Sequence, residues 1–268
     1  MFLASADSYE NYSVEMYSIR MVCSSMKLER ASDVHVWKID LRSTALDPYP
    51  NVMSADEQAR AVRYYTPQLQ QHYSRGRCAL RLLLASYLDV AATDIVFKYG
   101  PFGKPELDTP SDKGLHFNLS HSEQFALIAI ASDVIGVDLE YMRRPDLDVK
   151  ALIEIVLHPL EKAAFALHTA QSQVPFFYNI WSRKEAYCKA RGVGLQATLS
   201  NLHIERGRAT DIGRVLDEST AQATNFYSYS LALPHTDNSY SASVCLPIPD
   251  ATITLRVWPG VDELCSHI

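Results

Sequence analysis

The chain has 268 residues, 47% hydrophobic and 21% charged, the make-up of a soluble globular protein able to bury a sizeable core as one large domain or two small ones. Its 25 basic and 31 acidic residues leave a formal charge of −6, which excludes a global field attracting nucleic acid; an anionic ligand must therefore meet a local basic patch. No apolar run approaches the roughly eighteen residues of a membrane span, and the N-terminus lacks the charged-then-apolar order of a secretion signal.

Residues 1–30, polar and methionine-bearing, read as a loosely ordered N-terminal extension. Val34 to Leu41 alternates as a strand does. Ser54-Ala55-Asp56-Glu57 suits a capped helix start, and a helical stretch near 68–88 carries Leu80, Leu83, Leu84 and Leu88 on one face. Ile95 to Lys98, Leu115 to Leu119 and Phe125 to Ala131 are strand-like. A second half begins with a strand at Ile135 to Glu140, then helices across Leu147 to Leu157 and Pro159 to His168. A longer helix is expected from about Pro175 to a C-cap at Gly192. Strands near Leu199 to Glu205, Phe226 to Leu233, Tyr240 to Leu246 and Ile253 to Val257 complete an α+β pattern. The five cysteines (Cys23, Cys78, Cys188, Cys245, Cys265) are odd in number, scattered and without metal-ligand spacing, so reduced thiols in a cytoplasmic protein are expected.

Two acidic motifs carry the chemistry. In Ile135-Gly136-Val137-Asp138-Leu139-Glu140 the acids stand at i and i+2 of a strand and share a face. In Trp181-Ser182-Arg183-Lys184-Glu185-Ala186-Tyr187-Cys188-Lys189 the residues Glu185 and Lys189 lie one above the other on a helix. Brought together, three carboxylates beside one ammonium would repel each other unless a divalent cation joined them. Hard oxygen donors with an incomplete shell suit Mg²⁺ handling a phosphate ester. Each motif also has a plainer reading, as strand-end acids facing water or as a helical surface pair.

Together with Tyr99-Gly100-Pro101-Phe102-Gly103-Lys104-Pro105 and Phe117-Asn118-Leu119-Ser120-His121-Ser122, these motifs resemble the signature blocks of the Sfp-type 4'-phosphopantetheinyl transferases. One block alone is weak evidence; four in order, between about residue 34 and about 250, are specific. The resemblance implies two similar α/β subdomains related by pseudo-twofold symmetry, at 31–134 and 135–268, with the active site in the cleft between them. It implies transfer of 4'-phosphopantetheine from coenzyme A to a serine of an apo acyl- or peptidyl-carrier protein, releasing adenosine 3',5'-bisphosphate. The alternative is a non-catalytic module binding coenzyme A or carrier proteins. Mg²⁺, for which Mn²⁺ may substitute, would be held by Asp138, Glu140 and Glu185, with Glu185 also taking the serine proton. Lys189 would meet the pyrophosphate, and Ser120 and His121 a phosphate of coenzyme A, with His121 and Lys189 steadying the leaving group.

The resemblance further points to Lys104 for a phosphate or pantetheine contact and to Arg60 and Arg77 for the 3'-phosphate, Arg63 being less favoured. Trp37, Tyr64 and Tyr65 read as core. A monomer is expected, and acidic carrier proteins would need a basic lip, for which Arg143, Arg144, Arg183, Lys184 and Arg191 are candidates. Apolar residues in Leu152 to Leu157 and Pro175 to Phe177 could add to it. Two positions depart from the family pattern: Glu123 stands where glycine is common, and apolar Leu139 separates the two strand acids.

Overall fold

The first alternating segment becomes β1 (Asp33–Asp40), in a computed structural model that describes residues 26–47, 50–108, 114–143, 148–194, 198–206, 211–220 and 224–258. Its two faces are both apolar, and each meets a different layer. Trp37 and Ile39 face helix α2 (Pro67–Leu88), while Val34 and Val36 face away from it. Helix α1 (Ala55–Ala61) precedes α2, and the Ser54 N–H donates to Glu57 at 3.0 Å to start it. Thr66 accepts from the Leu69 N–H at 3.2 Å and Pro67 occupies the first turn of α2, whose end is turned by Asp89 at φ 59°. A hairpin of β2 (Phe97–Tyr99) and β3 (Pro105–Leu107) leads to β4 (His116–Ser122) and β5 (Phe125–Ala131). Glu123, in the turn between β4 and β5, adopts φ 50°, a left-handed conformation that explains why glycine suits this position.

The second half starts with β6 (Gly136–Tyr141), α3 (Val149–Val156), α4 (Pro159–Ala166) and α5 (Ala170–Arg191). Helix α5 begins five residues before the expected start, because Pro175 lies inside it rather than in its first turn; Gly192 at φ 64° ends it as predicted. Strands β7 (Leu202–Arg206), β8 (Ile212–Asp217), β9 (Tyr227–Ser230), β10 (Tyr240–Leu246) and β11 (Thr252–Val257) follow. β3 and β8 were not expected from the sequence.

The fold is mixed α+β. One sheet has the order β11-β1-β5-β4 and the other β6-β10-β9-β8-β7. β11 runs parallel to β1, with Ile253 and Leu255 against the Val34 and Val36 side, so the last strand of the second half belongs to the sheet of the first. A division of the chain at residue 134 therefore does not extend to its end. Met26 and Leu28 pack on the α2 side of that sheet, so these two members of the expected loose extension are part of the folded body; residues 1–25 lie outside the described residues.

Three apolar layers hold the fold. α2 packs through Leu80, Leu83, Leu84 and Leu88 on Ile39, Ile128 and Ile130. Val34, Val36, Leu127 and Ala129 meet Val137, Leu139 and Val244, joining the two sheets. α5 covers the second sheet, its Phe177 and Tyr187 sharing a core with Ile204 of β7 and Val215 of β8. β5 is therefore covered on both faces, which is why Phe125 to Ala131 reads as an unbroken apolar run. Of the aromatics expected in the core, Trp37 is buried and Tyr64 is half-buried with its ring tilted against Tyr73, centroids 5.1 Å apart, whereas Tyr65 is 97% exposed. No helix among the described residues is long and apolar enough to cross a membrane.

Candidate functional site

The site begins with a glycine. Val137 and Leu139 of β6 enter the apolar layer between the sheets, leaving Gly136, Asp138 and Glu140 to share the opposite face. A β-carbon at Gly136 would stand 2.0 Å from the Ala186 carbonyl oxygen and 2.4 Å from the Ala190 nitrogen. The backbone of α5 thus lies directly on β6, and one turn of that helix carries Glu185 and Lys189 over Asp138.

The neighbour of β6 on its open edge is β4. Alternate side chains of β4 accept the outward backbone N–H groups of β6: Val137 to Asn118 Oδ1 at 2.8 Å, Leu139 to Ser120 Oγ at 3.3 Å and Tyr141 to Ser122 Oγ at 3.0 Å. On its other side β6 pairs with β10. The Phe117 to Ser122 motif therefore stitches the two sheets together.

Asp138 is 2% exposed. Its Oδ1 accepts from Lys189 Nζ at 2.6 Å and from Ser120 Oγ at 3.2 Å; Lys189 also donates to Ser120 Oγ at 2.8 Å. Its Oδ2 is buried and has no hydrogen-bond partner, an arrangement costly for an anionic oxygen unless an electrophile meets it. Glu185, half-buried, has its pKa raised by burial first and then by the Asp138 carboxylate, against the opposing pull of Lys189. His121 is solvent-accessible, yet its pKa is lowered, first by loss of hydration and then by the positive charges of Lys189 and of His72 on α2. Its imidazole is therefore biased toward the neutral form, a hydrogen-bond donor rather than a cation. Beside this group a pocket of about 370 Å³ is lined by Phe102, Lys104, Asn118, Leu119, Glu185 and Lys189 among others.

Several expectations are redrawn. Among the described residues no three acids or metal-binding side chains stand close enough to hold an ion, so the expected set of Asp138, Glu140 and Glu185 is not assembled as three converging ligands. Glu140 is half-buried two residues beyond Asp138, and the counter-charge beside Asp138 is Lys189. Lys104 lines the pocket, but its ammonium donates to the Ile135 and Ala190 carbonyls at 3.2 and 2.8 Å, clamping the start of β6 to the end of α5; burial lowers its pKa.

Arg77 is not available to a phosphate in this arrangement. It bonds one carboxylate oxygen of the buried Glu57 while Arg81 bonds the other, and it lies over the Phe97 ring at 4.6 Å. Arg60 is exposed over Tyr73 at 5.8 Å, and neither Arg60 nor Arg77 lines the pocket.

The proposed basic lip loses two members. Arg183 and Lys184 are fully buried. Arg183 is bonded to Ser230 Oγ at 3.0 Å and the Ser228 carbonyl at 3.2 Å. Lys184 is bonded to the Val156 and Leu199 carbonyls at 2.7 and 3.0 Å and paired with Glu161 at 2.5 Å. Their charges are spent fastening α5 to the strands and loops behind it. Arg191 is exposed, Arg143 pairs with Asp237 at 3.0 Å, and Arg144 lies outside the described residues. Leu157 and Phe177 of the apolar docking candidates are also buried, while Ile155 is 61% exposed. The roles of Gly136, Asn118 and Ser122 were missed from sequence. For Gly136 a signal existed: a glycine inside an apolar strand marks close approach of another backbone.

Two family descriptions match consecutive parts of the chain: "4'-phosphopantetheinyl transferase, N-terminal" over residues 43–133 and "4'-phosphopantetheinyl transferase superfamily" over residues 134–245. The 4'-phosphopantetheinyl transferase HetI of Nostoc sp. (strain PCC 7120) is 37% identical over 178 residues, 65% of this chain and 74% of that protein. The chain belongs to the 4'-phosphopantetheinyl transferase family. It is similar as well to the transferase gsp of Aneurinibacillus migulanus, at 26% identity over 80% of this chain and 84% of the relative. The transferase Sfp of Bacillus subtilis (strain 168) is 24% identical over 75% of this chain and 85% of its own length. The protein is thus an enzyme that transfers 4'-phosphopantetheine to carrier proteins, with coenzyme A as the donor. The join between the two matched regions falls at residues 133 and 134, just before the strand that carries Asp138.

Proposed function

We propose that this transferase is Mg²⁺-dependent and that its reaction is run by Asp138, Glu185, Lys189 and His121 at the junction of the two sheets. The observation that carries this reading is Asp138: one carboxylate oxygen is held by Lys189 and Ser120 while the other is buried without a partner. A hard anionic oxygen so placed, with Glu185 close enough to feel its charge, fits a divalent cation completed by phosphate oxygens and water. Asp138 and Glu185 would hold it; Glu140, on the strand face of Asp138 but not converging with the other two, would have to swing toward them to become the third acid. When bound, such an ion neutralises phosphate charge and polarises the phosphorus–oxygen bond.

The chain's own residues do the rest. Lys189, on the same helix face as Glu185, attracts the diphosphate of coenzyme A. His121 donates a hydrogen bond to a phosphate oxygen as a neutral imidazole, and Ser120 orients Asp138 and Lys189 together. Glu185, directly or through a water, takes the proton from the carrier serine hydroxyl. The serine oxygen forms its bond to the phosphorus that bears pantetheine, and the bond from that phosphorus to adenosine 3',5'-bisphosphate breaks. Positioning and charge neutralisation supply the rate, since little covalent work is asked of the protein. Lys104 serves this site by fixing the pocket wall, and Arg60, exposed as Arg63 also is, stays the arginine assigned to the 3'-phosphate.

A pseudo-twofold arrangement with the site in the cleft between the halves is supported by each half having a 22-residue helix over its sheet and by the pocket drawing Asn118 and Leu119 from one half and Glu185 and Lys189 from the other. We read the enzyme as a cytoplasmic monomer serving apo acyl- or peptidyl-carrier proteins. Incubation with coenzyme A, Mg²⁺ and an apo-carrier is expected to raise the carrier's mass by one phosphopantetheine. Asp138→Ala is expected to abolish both that shift and Mn²⁺ binding while the circular dichroism spectrum persists. Unchanged Mn²⁺ affinity in this variant removes Asp138 from the cation site.

A further inference from the structure

We propose that Asn118 and Ser122 are positioning residues that lock the acidic strand in register with the rest of the site. This rests on the reading of Asp138 and Glu140 as the acids that face the cation. β6 is an edge strand, paired on one side with β10, so the N–H groups on its other edge would otherwise go unpaired. Asn118, Ser120 and Ser122, spaced by two along β4, take the N–H groups of Val137, Leu139 and Tyr141 at 2.8, 3.3 and 3.0 Å.

These three bonds bracket the acids. Asp138 lies between the rungs of Asn118 and Ser120, and Glu140 between those of Ser120 and Ser122. A backbone bonded on both sides of a residue cannot slide or twist at that residue, so each carboxylate has its origin fixed. β4 has no backbone pairing with β6, and the register of the two sheets at this junction is read out by side chains alone. The middle rung is also chemically special, because the Ser120 hydroxyl that accepts from Leu139 also bonds Asp138 and Lys189. Asn118 also lines the pocket, so Ser122, which does not, is the rung that acts only through the strand it holds.

The test compares Ser122→Ala and Asn118→Leu, which remove an acceptor, with Ser122→Thr, which keeps one. Mn²⁺ affinity is read by electron paramagnetic resonance, kcat and the carrier KM by holo-carrier formation, and folding by thermal melting. Loss of an orienting partner to a metal-facing residue costs about tenfold or more in affinity or rate. We expect a loss of that size in Mn²⁺ affinity and in kcat for Ser122→Ala and Asn118→Leu, with the carrier KM unchanged and Ser122→Thr close to the parent. Parent-like Mn²⁺ affinity in Ser122→Ala, or an equal loss in Ser122→Thr, overturns the proposal. Should Asn118→Leu fail to fold, the Ser122 pair still decides. Asp138→Ala, run alongside, separates the two ideas. If it loses Mn²⁺ while Ser122→Ala does not, the ladder alone is wrong; if it binds Mn²⁺ normally, the cation reading itself has failed.

Discussion

A single methyl group on Gly136 is expected to disable the transferase. The added β-carbon of Gly136→Ala would lie 2.0 Å from the Ala186 oxygen and 2.4 Å from the Ala190 nitrogen, where 3.4 Å begins ordinary contact. Both obstacles are helix backbone and cannot rotate away, so α5 must retreat from β6 by about 1 Å or more. Overpacking of this kind costs roughly 1–3 kcal/mol. For a chain of this size that corresponds to a fall in Tm on the order of 5 °C. The functional cost is larger in proportion, because the displaced segment carries Glu185 and Lys189 while Asp138 stays on the strand; misplacement of reacting groups by about 1 Å can cost 10²-fold in rate. Thermal melting followed by circular dichroism gives the first quantity. The initial rate of holo-carrier formation at saturating coenzyme A, measured well below the variant's Tm, gives the second. A variant with parent-like Tm and rate refutes the close approach of helix and strand on which the site depends.

Other outcomes follow from the same geometry. If Glu185 is the base, activity rises with pH through an acid limb of the kcat/KM profile that Glu185→Gln loses; a limb unaltered in Glu185→Gln assigns the base elsewhere. Lys184→Met leaves the buried Glu161 unpaired and is expected to cost about 3–5 kcal/mol, seen in urea unfolding, whereas a change confined to the carrier KM would return Lys184 to a docking role. His35, buried beside Tyr87, is held down to about 4 from 6.5, first by burial and then by the charge of Arg256. The unfolded chain therefore binds the extra proton first on acidification, and stability is lost as pH falls from 6.5 toward 4, by up to about 3 kcal/mol. His35→Phe is expected to flatten that part of the stability curve; an equal slope in both proteins rules His35 out as its source.

Much of the local structure was legible because it depends on side-chain period. β5 and β10 occupy the expected residues, and α2 starts one residue early. The acids of the site were legible too, since Asp138 and Glu140 share a strand face and Glu185 and Lys189 a helix face in any fold. The partner of Lys189 was not: the two helical residues read as a pair, but the ammonium bonds Asp138, which only the contact at Gly136 brings within reach.

The charges of the second signature helix show where a sequence reading ends. Arg183, Lys184 and Lys189 are consecutive cations of one motif, and nothing in their chemistry ranks them by exposure. Ser228 and Ser230 draw in Arg183, while the carbonyls of Val156 and Leu199 with Glu161 draw in Lys184. Lys189 alone of the three is left facing the pocket. Glu57 does the same to Arg77 and Arg81 in the first half. By itself the sequence determined most of the elements, the acid and ammonium groups and the family to which they belong. Tertiary structure decided which charges reach a ligand, because a buried charge is tolerated only where distant segments of the chain supply its partners, and those partners are named by packing rather than by spacing.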